Sequence, residues 1–184
     1  MSRRWQPALD RLVHERYGGL VAYATVLTAD RGRAQDLVHD ALVATFTARA
    51  AFASVPQAEA YVRRAIASRF VDGGRRRGRE RAAYARLAAR PPEVGELRSD
   101  LVDRDVADAL ARLSPQQRAC VVLRHLDDVS VRDTAHLLGL SEGTVKRYVS
   151  DGVATLNALL GTRTGTDEPL PVDLVDSEEA RRER

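Results

Sequence analysis

Cysteine is almost absent from this chain. Cys120 is the only one among 184 residues, which excludes an internal disulfide and a cysteine-built zinc site. Its neighbours Ala119, Val121 and Val122 are apolar, so a buried structural thiol is expected rather than a reactive one. Aromatic residues are only 5% of the chain, so any core must be mainly aliphatic. The four histidines, His14, His39, His125 and His136, show no metal-ligand spacing. No apolar run approaches the roughly 20 residues of a membrane span. The start, MSRRWQPALD, lacks a signal-peptide core, so a cytoplasmic protein is expected. A catalytic dyad is missing too, and the pair Gly73-Gly74 has no P-loop context, so neither an enzyme nor a cofactor or metal site is expected.

What is present is ordinary in amount and uneven in place. Hydrophobic residues are 44% of the chain, enough for one or two small globular domains. The formal charge of +3 conceals an asymmetry. Arginines crowd residues 63–81, while the tail after Gly165 is mostly acidic. Local basic clusters of this kind suit a nucleic-acid binder.

The sharpest local signal lies in residues 130–160. Ser130, with Asp133 three residues on, is a near match to a capping box, and Val131, Ala135 and Leu138 share one helical face. Gly139 stands where a helix ends in a left-handed residue. Ser141 is a second cap, with Glu142 in the first turn after it, and Val145, Val149, Val153 and Leu156 form the next apolar stripe. Helix, glycine turn and helix is the layout of a helix-turn-helix, whose second helix enters the DNA major groove. With the valines inward, Glu142, Thr144, Lys146, Arg147 and Ser150 are left to meet base edges or phosphates. The competing reading is the solvated face of a helical hairpin.

Upstream, Leu9, Leu12, Val13, Tyr17, Leu20, Val21, Ala24 and Leu27 recur at helical steps, in a helix interrupted or weakened by Gly18-Gly19. Thr28-Ala29-Asp30 caps a second helix, whose polar side carries Asp36, His39 and Asp40. Residues 50–56 read as a loop containing Phe52, a ring either tucked into the core or left free to stack on an unpaired base. A third helix from about Gln57 to Val71 puts Val62, Ile66 and Phe70 inward, with Arg63, Arg64, Ser68 and Arg69 to the sides and outward. The arginines at 75, 76, 77, 79 and 81 follow, at a density that favours phosphate contact. Residues 82–103, with Pro91-Pro92, read as a linker with some helix near residues 83–89. Val106, Leu110 and Leu113 open the next unit. Ser114-Pro115 caps a helix that turns Val122, Leu123 and Leu126 inward and stops at Asp127-Asp128. From about residue 162 a flexible acidic tail is expected.

In this order the parts resemble an extracytoplasmic-function sigma factor of the sigma-70 family, of actinobacterial type, over about residues 5–81 and 104–160. Asp36-Leu37-Val38-His39-Asp40 is similar to the family's acidic "DLVQE" stretch, and residues 60–67, AYVRRAIA, to its "AWLYRIA" helix. Leu113-Ser114-Pro115-Gln116-Gln117-Arg118, Leu123-Arg124-His125-Leu126-Asp127 and residues 140–146, LSEGTVK, follow its C-terminal domain. The sequence departs from the pattern at His39, Asp40, Ser68, Arg69, Arg147-Tyr148 and Asp151.

The resemblance implies an all-α fold of two small helical domains. A region 2-like domain would span 5–81, a linker 82–103, a region 4-like helix-turn-helix domain 104–161 and the tail 162–184. It implies docking of core RNA polymerase on Asp36, Leu37, His39 and Asp40, and promoter melting by Phe52, Arg63, Arg64, Ser68 and Arg69. It also implies duplex promoter recognition by Glu142, Thr144, Lys146, Arg147 and Ser150, and admits an anti-sigma factor as a further partner. The alternative is a stand-alone helix-turn-helix regulator that acts without polymerase.

Overall fold

The computed structural model describes residues 6–48, 52–84 and 103–161, and these contain seven α-helices and no strand. The expected all-α class is what is observed. In chain order the helices are α1 (Gln6–Thr28), α2 (Arg31–Thr47), α3 (Val55–Tyr84), α4 (Arg104–Arg112), α5 (Pro115–His125), α6 (Val131–Leu138) and α7 (Glu142–Leu160). Most of the proposed linker and the whole of the proposed tail lie outside the described residues.

Three helices form the N-terminal group. The buried faces of α1, α2 and α3 meet through Leu9, Leu12, Leu20, Val38, Val62 and Ile66. Asp30 caps α2 by accepting the Arg33 amide at 2.7 Å, a contact generally worth about 1 kcal/mol. Of the interruption or weakening expected at Gly18-Gly19, the interruption is absent, since α1 runs unbroken through the pair, and α3 continues through Gly73-Gly74 to Tyr84 instead of stopping at Val71. A helical glycine costs only about 1 kcal/mol against alanine. Burial of Leu20, Tyr23 and Val26 just beyond the first pair outweighs it.

The C-terminal group is organised by its caps. Ser114 and Gln117 form a complete capping box at α5, with Pro115 at the first helical position. Ser130 caps α6 and Ser141 caps α7, each accepting the amide three residues on. Between them Gly139 sits at φ 60°, ψ 46°, so the left-handed residue read from the sequence is present. Helix α7 packs on α4, α5 and α6. It comes close at Gly152, where an added Cβ would lie within 2.6 Å of Val121 Cγ2. Leu126, expected to face inward, is 39% exposed, because α5 ends there and the chain turns away through Asp127 and Asp128.

The two groups do not stand apart. Helix α3 packs on α5 and α6, α1 packs on α4 and α5, and one buried cluster runs through both groups. One polar tie is the buried Arg118, whose guanidinium donates across to the Leu27 carbonyl (2.6 Å) and, within its own group, to those of Ala111 (2.6 Å) and Leu113 (3.2 Å). Burial, and then the charge of Arg33, lower its pKa to about 10. It therefore still carries its proton at neutral pH and donates to every one of these carbonyls. Arg75 reaches across in the same way, donating to the Leu138 carbonyl at 2.8 Å and closing the end of α6. Cys120 is buried as expected, and burial pushes its thiol up to about 11.

Candidate nucleic-acid interface

The outer face of α7 is built locally. Ser141 Oγ accepts the Thr144 amide at 3.1 Å and lies 2.8 Å from the Thr144 hydroxyl, which fixes the first turn. Val145 is fully buried and anchors the helix from behind. Tyr148 adds a second anchor by donating to Gln116 Oε1 of α5 at 3.1 Å. Glu142, Lys146, Arg147 and Ser150 are then left exposed, while Thr144 is half-buried and engaged with the cap. The Arg147 guanidinium lies over the Tyr148 ring at 5.5 Å, which holds it near the surface without neutralising it. Four of the five residues expected here thus share one accessible face.

Helix α3 distributes its cations differently. Arg63 turns toward α1 and the turn after α5: it pairs with Glu59 of its own helix (2.8 Å) and with Asp127 (3.2 Å), and lies over the Tyr23 ring at 5.2 Å. Burial opposes its charge, but the hydrogen bond and charge of Asp127, and then Glu59, outweigh burial and raise its pKa. Arg64 is exposed and lines a small cleft with Arg63, Glu59, Leu126, Asp127 and Asp128. Ser68 is half-buried. Arg69 faces the other way, into an open groove of about 1150 Å³ between α2 and α3. The melting residues expected on α3 therefore do not form one surface. Side chains beyond Arg77 in the arginine run lie outside the described residues.

Phe52 is half-buried, and its ring stands 5.2 Å from that of Tyr61 at 57°. Tyr61 is the more accessible of the two, at 44% exposure. The pair was visible in the sequence only as two separate aromatics, because the contact depends on how the loop meets the start of α3.

On α2, Asp36, His39 and Asp40 are exposed and Leu37 is half-buried. Asp36, Leu37 and Asp40 form one wall of the groove that Arg69 lines from α3, while His39 is not part of that lining. Residues assigned to polymerase and to DNA thus share a groove.

Comparison with known proteins gives the family. The family model for sigma-70, region 4 matches residues 103–156, which hold α4–α6 and most of α7. An RNA polymerase sigma-E factor of Streptomyces antibioticus is 34% identical over 155 residues, 84% of this chain and 85% of the relative. That span is too long to be the helix-turn-helix part alone. This chain belongs to the extracytoplasmic-function sigma factors. The ECF RNA polymerase sigma factor SigM of Mycobacterium tuberculosis is 29% identical over 158 residues, 84% of this chain and 78% of the relative. Among solved structures, the sigma factor RpoE of Bartonella quintana, crystallised with the anti-sigma factor NepR, matches with a TM-score of 0.58 and 28% identity. The match covers 83% of this chain and 96% of that one. Within this sigma factor, no helix of the described residues is long and apolar enough to cross a membrane, and no group of His, Cys, Asp and Glu among them could hold a metal ion.

Proposed function

We propose that this sigma factor binds core RNA polymerase, directs it to promoters and initiates transcription there. The polymerase supplies the chemistry, so the chain is a cytoplasmic initiation factor and not an enzyme. The observation that carries this reading is the exposed face of α7, set by the Ser141 cap and the left-handed Gly139, in a chain that also has a basic α3 with an aromatic pair at its start. Glu142, Lys146, Arg147 and Ser150 read the upstream (−35) duplex, with Thr144 shaping the first turn.

Strand opening is the task of the region from Phe52 to Arg77. A base leaving the stack must be held, and stacking on an aromatic ring is worth about 1–3 kcal/mol. The Phe52–Tyr61 pair offers such a platform, with Tyr61 presented outward and Phe52 bracing it from behind. Arg63, Arg64, Ser68 and Arg69 hold the phosphates of the opened −10 strand. The acidic side of α2, with Asp36, Leu37, His39 and Asp40, docks on polymerase, and an anti-sigma factor is a partner such a chain can take. We place the working units at residues 5–81 and 104–161. A regulator acting without polymerase is disfavoured, because the sigma-factor relative matches over 155 residues, far more than the helix-turn-helix part holds.

The test is Phe52→Ala in reconstituted transcription. The variant should still bind core polymerase yet give weaker open complexes, seen as lower permanganate reactivity of unpaired thymines. Unchanged reactivity removes Phe52 from the mechanism.

A further inference from the structure

Arg63 is assigned to the opened strand, yet in the closed chain it is held by a carboxylate from the other helical group. Asp127, 64 residues away in sequence, accepts Arg63 Nη1 on Oδ1 at 3.2 Å and the Tyr23 hydroxyl on Oδ2 at 2.6 Å. Its side chain is only 9% exposed, so these two donors take the place of water. The Tyr23 hydroxyl is held firmly as a donor, since burial and then Asp127 raise its pKa well above the usual value. The arrangement has the form of phosphate recognition. An anionic group with two oxygens accepts from a guanidinium and a hydroxyl at the rim of a cleft.

The rest of that cleft points the same way. It encloses about 330 Å³ and is lined by Arg63, Arg64, Glu59, Leu126, Asp127 and Asp128. Arg64 is exposed there and forms no ion pair among the described residues, so one cation of the pair is available and the other is occupied. A nucleic-acid strand following these two arginines would meet the carboxylates of Asp127 and Asp128. The other polar ties between the groups differ in kind. Arg118 and Arg75 donate to backbone carbonyls, which a DNA phosphate does not imitate.

We propose that Asp127 is an internal stand-in for a DNA phosphate: docked between Tyr23 and Arg63, it competes with the opened strand, and the turn after α5 must leave α1 and α3 before the strand can be held. This rests on the assignment of Arg63 to strand contact. The proposal gives the free chain low affinity for single strands while leaving the α7 face open to duplex. It also makes release of the α5–α6 turn a step that a polymerase, by separating the two groups, would complete.

The experiment uses the full chain with dyes on Glu15→Cys and Ala154→Cys, exposed sites on α1 and α7, and a fluorescein-labelled single-stranded 20-mer of mixed sequence. Asp127→Asn should lower energy transfer between the dyes and tighten oligonucleotide binding by about three- to tenfold, the worth of one partly exposed ion pair. Tyr23→Phe, which removes one hydroxyl, should move both readouts the same way by less, and it serves if Asp127→Asn does not fold. Adding Arg63→Ala to Asp127→Asn should abolish the gain. Unchanged affinity in both single variants overturns the proposal, whether or not the dyes move apart. A gain that survives Arg63→Ala overturns it as well. Failure of the underlying assignment shows separately: Arg63→Ala alone, assembled with core polymerase, would leave permanganate reactivity of the open complex unchanged.

Discussion

Helices α7 and α3 both carry cations, Lys146 and Arg147 on α7 and a longer series on α3, yet they use them in opposite ways. On α7, Lys146 and Arg147 are exposed, and the contacts that hold the helix are behind them: Val145, the Tyr148–Gln116 bond and the close approach at Gly152. On α3, Arg63 and Arg75 reach the other helical group, and Arg69 turns toward α2. A helix held by caps and small residues can offer its charges to a ligand. A cation built into the packing, as Arg63 is, is offered only when the fold opens. On the roles proposed above, the difference separates a rigid reader of duplex from a conditional holder of single strand.

The comparison breaks first if α7 is not rigidly seated. Gly152→Val would push a side chain into Val121, which is 6% exposed and has a stiff, β-branched side chain. The expected loss is about 3 kcal/mol, at the upper end of overpacking costs. Urea unfolding of the whole chain measures it. Gly143→Val on the same helix is the control, because an added Cβ there meets only Ser141 Oγ at 4.0 Å, and its effect on stability should stay within about 0.5 kcal/mol. Equal losses at the two glycines would show that α7 is not held from behind.

These glycines also show what a sequence can reveal. Gly139 was legible because its role is local: a helix ends, and the next residue is left-handed. The caps at Asp30, Ser114, Ser130 and Ser141 were legible for the same reason, since each bonds an amide three residues away. Gly18-Gly19 and Gly73-Gly74 were misread as breaks. Gly74 alone has a reason, and it is not local: a Cβ there would lie 3.1 Å from Pro115 Cβ, where α3 and α5 approach each other, whereas a Cβ on Gly18 or Gly19 would meet nothing within 4 Å. The α7 face followed from periodicity alone. The fate of Arg63 did not, because its partner is 64 positions away, and Tyr23 and Asp127 are separated by 104.

The middle-sized effect bears on binding. Arg147→Ala should weaken upstream-duplex binding by about 1–3 kcal/mol if the guanidinium reads a base, and the loss should depend on the promoter sequence. Filter binding of the polymerase complex to matched and mismatched upstream elements gives the answer. A uniform loss across promoters would make Arg147 a phosphate contact. It would then share the role proposed for the α3 arginines, though not the condition on which they are free.

The smallest effect tests how completely the reading module is built from caps. At α5 the capping box is closed on both sides: the Gln117 amide donates to Ser114 Oγ at 3.3 Å, and Gln117 Oε1 accepts the Ser114 amide at 3.2 Å. At α6 only half of it forms. The Asp133 amide donates to Ser130 Oγ at 3.0 Å, but the shorter Asp133 side chain accepts the Ser130 hydroxyl at 2.7 Å instead of reaching the Ser130 backbone. One more methylene supplies the missing reach, so Asp133→Glu should stabilise the chain by about 0.5 kcal/mol at unchanged charge. The position is exposed and lies on α6, away from the reading face of α7, so duplex affinity should not move. A rise in the urea midpoint with constant affinity would show that α6 acts on DNA only through the seating of α7. If stability and affinity rise together, the first helix of the turn contributes to recognition directly, and the division between a capped scaffold and a charged reading face has to be redrawn.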